Sequence, residues 1–155
     1  MSNSASNKLA AAPRVALLMP IVFLLHFAEE WFGGLSSWTL DALGNELSSE
    51  RLIIINAIAF PIFLIGTISA VYYPRMAWFA TAFAALLGLN GVLHALATLG
   101  LASYSPGTVT GLILYIPLSV IVLRLSAARL SGRLFNGAVF FGFLIHGLIS
   151  FLAFL

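Results

Sequence analysis

The chain has no cysteine among its 155 residues, which excludes disulfides, thiolate metal sites, iron–sulfur clusters and thiol nucleophiles. Charge is almost as scarce: Asp, Glu, Lys and Arg together make up 8% of the residues, against about a quarter in an ordinary soluble domain. So few ions cannot keep a chain that is 61% hydrophobic folded and dispersed in water. The net charge is only +2, and nothing in its distribution points to a nucleic-acid partner.

What the chain has in their place is apolar length. Mean hydropathy is +1.08, and several stretches reach the roughly 20 residues needed to cross about 30 Å of hydrocarbon. The fold class expected is all-α, an integral membrane bundle of five transmembrane helices. The spans are read as Arg14 to Gly33, Leu52 to Pro74, Met76 to Ala102, Thr108 to Arg124 and Leu134 to Phe154. Residues 1–13, rich in Ser, Asn and Ala, read as a disordered N-terminal tail, and 14–155 as a single domain. Lys8 and Arg14 before an apolar run resemble the start of a signal peptide. The run leads into Glu29, Glu30 and Trp31 with no small-residue cleavage site, so it reads as a retained first helix. Tyr73-Pro74-Arg75 and Tyr104-Ser105-Pro106-Gly107 are turn signals between spans. Short links make consecutive helices antiparallel neighbours.

Charge placement predicts orientation. Lys8, Arg14, Arg75, Arg124, Arg129 and Arg133 fall on one side of a five-span arrangement, and Arg51 on the other beside Asp41, Glu46 and Glu50. The positive-inside rule then puts the amino terminus in the cytoplasm and the carboxyl terminus outside, in the cytoplasmic (inner) membrane. The stretch Gly34 to Glu50, with Trp38, Leu40, Leu43 and Leu47, is expected to lie along the outer surface as a short interfacial helix. Pro20, Pro61 and Pro117 fall inside spans and could kink them.

Ionisable side chains are costly in a bilayer and each needs a partner. His26 stands three and four residues before Glu29 and Glu30, which gathers all three on one helical face. Asn90 and His94 are four apart on the third span, Gly111 and Tyr115 four apart on the fourth, Asn56 is early in the second and His146 lies in the fifth. Counted from the outer helix ends, His26, His94, Tyr115, His146 and Asn56 all sit at roughly 8 to 13 Å depth at 1.5 Å per residue, with Glu29 and Glu30 one turn shallower. Helices that shared only composition would have no reason to agree in depth, so a buried site open toward the outer face is expected. Gly111 reads as a packing position, Asn56 and Asn90 as supporting residues.

With these residues the chain resembles the HXXEE-motif integral membrane proteins, whose features H-x-x-E-E, N-x-x-x-H and G-x-x-x-Y stand here, in order, at His26 to Glu30, Asn90 to His94 and Gly111 to Tyr115. That family is of uncharacterised function; the resemblance implies that the three motifs act together and names no reaction.

Three chemistries fit the residues. In the first, His26, His94, His146 and Glu30 bind a divalent metal, zinc preferred and iron the alternative. Glu29 serves as base, with the exchange of the two glutamates an equally good assignment, and Tyr115 as a second catalytic group, acting on a lipid-like or amphiphilic substrate entering from the outer leaflet. One metal suits the count better than two, because carboxylate-bridged di-iron centres use about four acids. The second is a metal-free isomerase or cyclase in which a glutamate protonates and a histidine accepts a proton. The third is a small proton or cation transporter or sensor. An enzyme, whether hydrolase or oxidoreductase, is favoured because the polar residues form one layer rather than a path, and no internal repeat is present. A homo-oligomer in the bilayer is left open.

Overall fold

The computed structural model describes residues 11–155; of the expected tail, residues 1–10 lie outside the described residues, Lys8 with them. Its last residues are held: the Ala12 N–H donates to the Ala70 carbonyl at 2.9 Å, and Arg129 Nη1 donates to the Ala11 carbonyl at 3.1 Å. The described chain is all-α, with no strand, and has six helices: α1 (Arg14–Phe32), α2 (Leu35–Leu43), α3 (Ser49–Tyr72), α4 (Pro74–Gly100), α5 (Thr108–Ala127) and α6 (Gly132–Ala153). All but α2 are long and apolar enough to cross a membrane, so the protein is a five-span membrane bundle.

Local chemistry sets the helix ends. Ser48 and Ser131 cap α3 and α6, their hydroxyls accepting from the N–H groups of Arg51 and Leu134. Gly34 and Gly44, at φ 73° and 69°, supply the left-handed turns that let α2 leave and rejoin the spans. The prolines are absorbed differently. Pro20 follows a 3₁₀ stretch, Arg14–Leu18, and stands in the first α-helical turn, where its missing N–H is not needed. Pro117 follows a π-helical turn, Gly111–Tyr115, whose wider spiral spares its ring the carbonyl one turn back. The G-x-x-x-Y motif is therefore itself the π-turn.

α4 is the central span, packed against α3, α5 and α6, while α1 packs on α3 and on the first turns of α5. Contacts at the two ends fix which termini meet. Arg51 of α3 reaches the Ala153 carbonyl of α6 at 3.4 Å, and Trp38 Nε1 of α2 donates to Ser103 Oγ at 3.1 Å, so these share the α2 end. Ala12 and Ala70 meet at the opposite end. Hydrophobic burial does not drive helices together in lipid, so the bundle rests on close contact between small residues. Every residue of α4 from Ala80 to Leu87 is buried. Phe23, Phe63, Phe79 and Phe83 form an aromatic stack beside that run, with ring centroids 3.4 to 4.8 Å apart. A Cβ at Gly142 of α6 would run into the Ala82 carbonyl, which is how closely α4 and α6 approach.

Candidate functional site

From Gly88 to Gly100 only Gly91 of α4 is buried, and beside that stretch the spans surround a cavity of about 370 Å³. Its walls are apolar, among them Phe23, Ile55, Leu86 and Ile149, and Leu35 and Trp38 of α2 cover it. Its polar lining is densest at one place, where His26, Glu30 and His94 come together beside Tyr115 and Ser105; Thr39, Asn56, Asn90, His146 and Ser150 are the other polar residues of the wall.

α1 supplies His26 and Glu30 one turn apart, and α4 supplies His94. Both imidazoles present Nε2 to the same carboxylate oxygen: His26 Nε2 lies 3.3 Å and His94 Nε2 3.2 Å from Glu30 Oε1. One ligand atom from each of the three residues falls within 4.8 Å of the others, so the group could hold a metal ion. His26 is 3% and Glu30 7% exposed. The Tyr115 ring stacks on His26 at 4.1 Å between centroids, and the two imidazoles meet edge to face at 5.1 Å.

The Nδ1 atoms face the other way, each toward a hydroxyl. His26 Nδ1 is 2.7 Å from Thr110 Oγ1, and His94 Nδ1 is 3.0 Å from Ser105 Oγ. Thr110 donates its hydroxyl hydrogen to Glu29 Oε2 at 2.5 Å, so its oxygen accepts from His26, and the His26 proton resides on Nδ1. In the neutral ring Nε2 then carries a lone pair aimed at a carboxylate oxygen. Lone pair against lone pair is repulsive unless a positive charge lies between them. His26 Nε2 is buried and makes no hydrogen bond.

Glu29 belongs to a different arrangement. Its carboxylate accepts from the backbone N–H groups of Gly107 at 3.0 Å, Val109 at 3.0 Å and Thr110 at 2.7 Å, from the Thr110 hydroxyl and from the Tyr104 hydroxyl. These are the unpaired N–H groups at the start of α5, where a carboxylate is favoured by hydrogen bonding and by the helix dipole. Glu29 thus fastens the α4–α5 link onto α1. Outside the spans, Tyr104 has its phenol pushed up to about 12, by burial and then by its hydrogen bond to Glu29 and that group's charge. Along the same link, Gly107 at φ 106° lies against both histidines: a Cβ there would fall 2.7 Å from His94 Cε1 and 2.9 Å from His26 Cε1.

Of the other residues singled out in the sequence, His146 lines the cavity without joining the three-residue cluster; its Nδ1 is 3.4 Å from Ser150 Oγ on its own helix. Asn90 lines the cavity with a buried Oδ1 that has no partner. Asn56 lines it too, its amide donating to the Leu52 carbonyl one turn back. Gly111 is outside the cavity and lies against Gly91, where either Cβ would collide with the other backbone. Sequence reasoning missed the part played by the α4–α5 link and the first turn of α5: Tyr104, Ser105 and Gly107 were legible only as a turn and Thr110 only as the start of the fourth span, although the hydroxyls of Ser105, Thr108 and Thr110 crowd a short junction.

Compared with known families, residues 17–122, more than half of the chain, match the model described as protein of unknown function with HXXEE motif. No curated protein and no solved structure matches the chain.

Proposed function

The chain belongs to the family of proteins of unknown function with an HXXEE motif, and we propose that it is a membrane enzyme in which His26, Glu30 and His94 hold one divalent metal ion, zinc before iron. One observation carries this reading. Bonds of about 2.0–2.1 Å at tetrahedral angles separate neighbouring ligand atoms by about 3.3 Å. The two Nε2–Oε1 separations are 3.3 and 3.2 Å, whereas a charge-assisted hydrogen bond would draw them to about 2.7–2.9 Å. The shell behind the ligands supports it as well, because ligating imidazoles usually donate their second N–H to an oxygen, as Nδ1 of both rings is placed to do here. Two histidines and a glutamate with an open fourth position is a donor set of hydrolytic zinc sites.

A zinc ion held there would act as a Lewis acid and lower the pKa of its water toward neutrality. The chain's own residues do the rest. Tyr115, stacked on His26, directs a phenol at an oxygen of the substrate. His146, across the same cavity and outside the ligand set, exchanges a proton with the bound molecule. Glu29, weighed from the sequence as the base, is assigned here as the clamp that holds Thr110 on His26, since all its side-chain hydrogen bonds go to the α4–α5 link and the first turn of α5. Asn90 offers its buried Oδ1 to a donor in the cavity. A volume of about 370 Å³ with apolar walls suits a small amphiphile entering from the lipid, its polar group at the metal. The arginines at the end opposite α2 (Arg14, Arg75, Arg124, Arg129 and Arg133) support the reading in which that end and the amino terminus face the cytoplasm, and the carboxyl terminus and site face outward.

Elemental mass spectrometry on detergent-purified protein, wild type beside His94→Ala, tests the reading. The expected result is close to one zinc per wild-type chain and at least a tenfold loss in the variant. Wild-type protein with no metal above background, even after divalent ions are offered, would sink the metal reading and leave acid–base chemistry between Glu30 and two imidazoliums, with transport as the remaining use of the same groups.

A further inference from the structure

A second cavity, of about 330 Å³, lies on the other side of α2. Its lining is mixed rather than mainly apolar: Trp31 and Leu40 stand beside Ser36, Ser37, Glu46 and Ser49, of which Ser37, Glu46 and Ser49 are exposed. The two cavities share three wall residues, Glu30, Leu35 and Leu52. Leu35 and Leu52 are 6% and 4% exposed and pack together as an apolar partition. Glu30 is therefore the only polar member of the shared wall between a mainly apolar chamber and a smaller one that adds three serines and the Glu46 carboxylate.

We infer that the site has two entrances of unequal polarity that meet at Glu30, and that the more polar one admits water and small hydrated cations from the aqueous phase. The inference rests on the metal reading for its cation and on the two cavities for its path. The physical ground is desolvation. A hydrated divalent ion crossing the large chamber would shed its water against Phe, Leu and Ile, at a cost no apolar wall returns. Along the polar pocket it exchanges water for oxygen donors, with the Glu46 carboxylate at the exposed side and Glu30 at the buried end. The same separation serves a hydrolytic site: the amphiphile arrives from lipid and water from the aqueous side, and neither has to pass the other. α2 forms the divide, and its flanking glycines, Gly34 and Gly44, keep it an independent segment between α1 and α3.

The absence of cysteine makes the path testable with single thiols. In Glu30→Cys protein reconstituted in vesicles, a charged, membrane-impermeant methanethiosulfonate should modify the thiol. Adding Ser37→Trp, which fills the mouth at an exposed residue, should slow that modification at least tenfold. This arm needs no metal. In the second arm, zinc uptake by metal-free protein carrying only Ser37→Trp should be at least tenfold slower than in wild type and reach the same final stoichiometry. Circular dichroism and gel filtration of each variant against wild type exclude misfolding as the cause. No labelling of Glu30→Cys, or labelling and uptake rates untouched by Ser37→Trp, would overturn the polar entrance. If labelling is gated and wild type binds no zinc at equilibrium, the entrance stands as a water path and it is the metal reading that fails.

Discussion

The two ends of this bundle are built from different materials. At the end opposite α2, α4 contributes an unbroken buried run from Ala80 to Leu87, and the phenylalanine stack beside it closes the interior by contact. Hydroxyls buried in that end, Thr67, Thr81, Ser119 and Ser126, make no hydrogen bond and behave as small packing groups. At the α2 end the spans stand apart around a cavity, and what holds them is polar: Glu29 on the α4–α5 link, Trp38 on Ser103, and the Arg51 reach to Ala153. Contact specifies the scaffold, and directed hydrogen bonds specify the site. The difference explains how a chain of this size keeps the Glu30 carboxylate and the His26 imidazole buried: the packed end carries the fold, so the other end is free to be hollow.

The sharpest way to break that comparison uses one substitution at two places on α6. Gly142→Val puts two methyls against the Ala82 backbone, and overpacking of this kind costs about 1–3 kcal/mol. Gly147→Val, beside His146, meets nothing within 4 Å and should change stability by no more than about 0.5 kcal/mol. Denaturant titration in mixed micelles reads both. Gly147 is exposed, so equal losses at the two positions would mean that contact with Ala82 is not what makes Gly142 costly to replace.

How much of this was legible in the sequence follows the same division. The five spans were, because length and hydropathy suffice to find them, and α2 was in part: a short helix was expected over Gly34 to Glu50, and the helix formed is Leu35–Leu43, ended at the left-handed Gly44. The convergence of His26, Glu30 and His94 was foreshadowed by shared depth and by motif spacing. Depth, however, measures position along a helix axis and not the gap between helices, which is why His146 shares the level yet stays outside the cluster. The setting of Glu29 had no sequence signal. Its partners are mostly backbone N–H groups some 80 residues away, and a backbone donor has no residue type to read. The π-turn was hidden for a related reason: G-x-x-x-Y followed by Pro117 shows the residues that tolerate a wide turn without showing that one forms.

A smaller effect sharpens the claim that the α2 end is held by hydrogen bonds. Glu29→Gln removes the charge and turns one acceptor into a donor facing other donors. The fold should survive, because the opposite end is untouched, while zinc affinity falls about 10- to 100-fold through loss of the His26 support. Tyr104 reports the same event. Its phenol titrates at about 12 rather than 10.0, so the protonated, clamping form adds stability in full below pH 10 and loses it as pH rises through about 12. In Glu29→Gln an ultraviolet titration should find Tyr104 moved back toward 10. A phenol unmoved by the substitution would show that burial alone, and not the clamp, sets it.

The smallest expected effects come from Thr→Val, because the exchange alters one hydroxyl and almost no volume. Thr67 lies fully buried at the packed end with no hydrogen-bond partner, so Thr67→Val should be neutral or slightly stabilising, removing a polar group that gains nothing from being there. Thr110 has similar bulk but stands between Glu29 and His26, donating to one and accepting from the other. Thr110→Val leaves His26 Nδ1 without its acceptor and frees the ring to rotate, for a zinc affinity about tenfold weaker, at the low end of what lost support behind a ligand costs. Unfolding and zinc titration on both variants should therefore move different quantities: neither shifts stability by much, and only Thr110→Val shifts the metal. If Thr67→Val weakens zinc as much as Thr110→Val does, the site depends on the whole bundle's packing, and the division between a scaffold made by contact and a site made by hydrogen bonds is wrong.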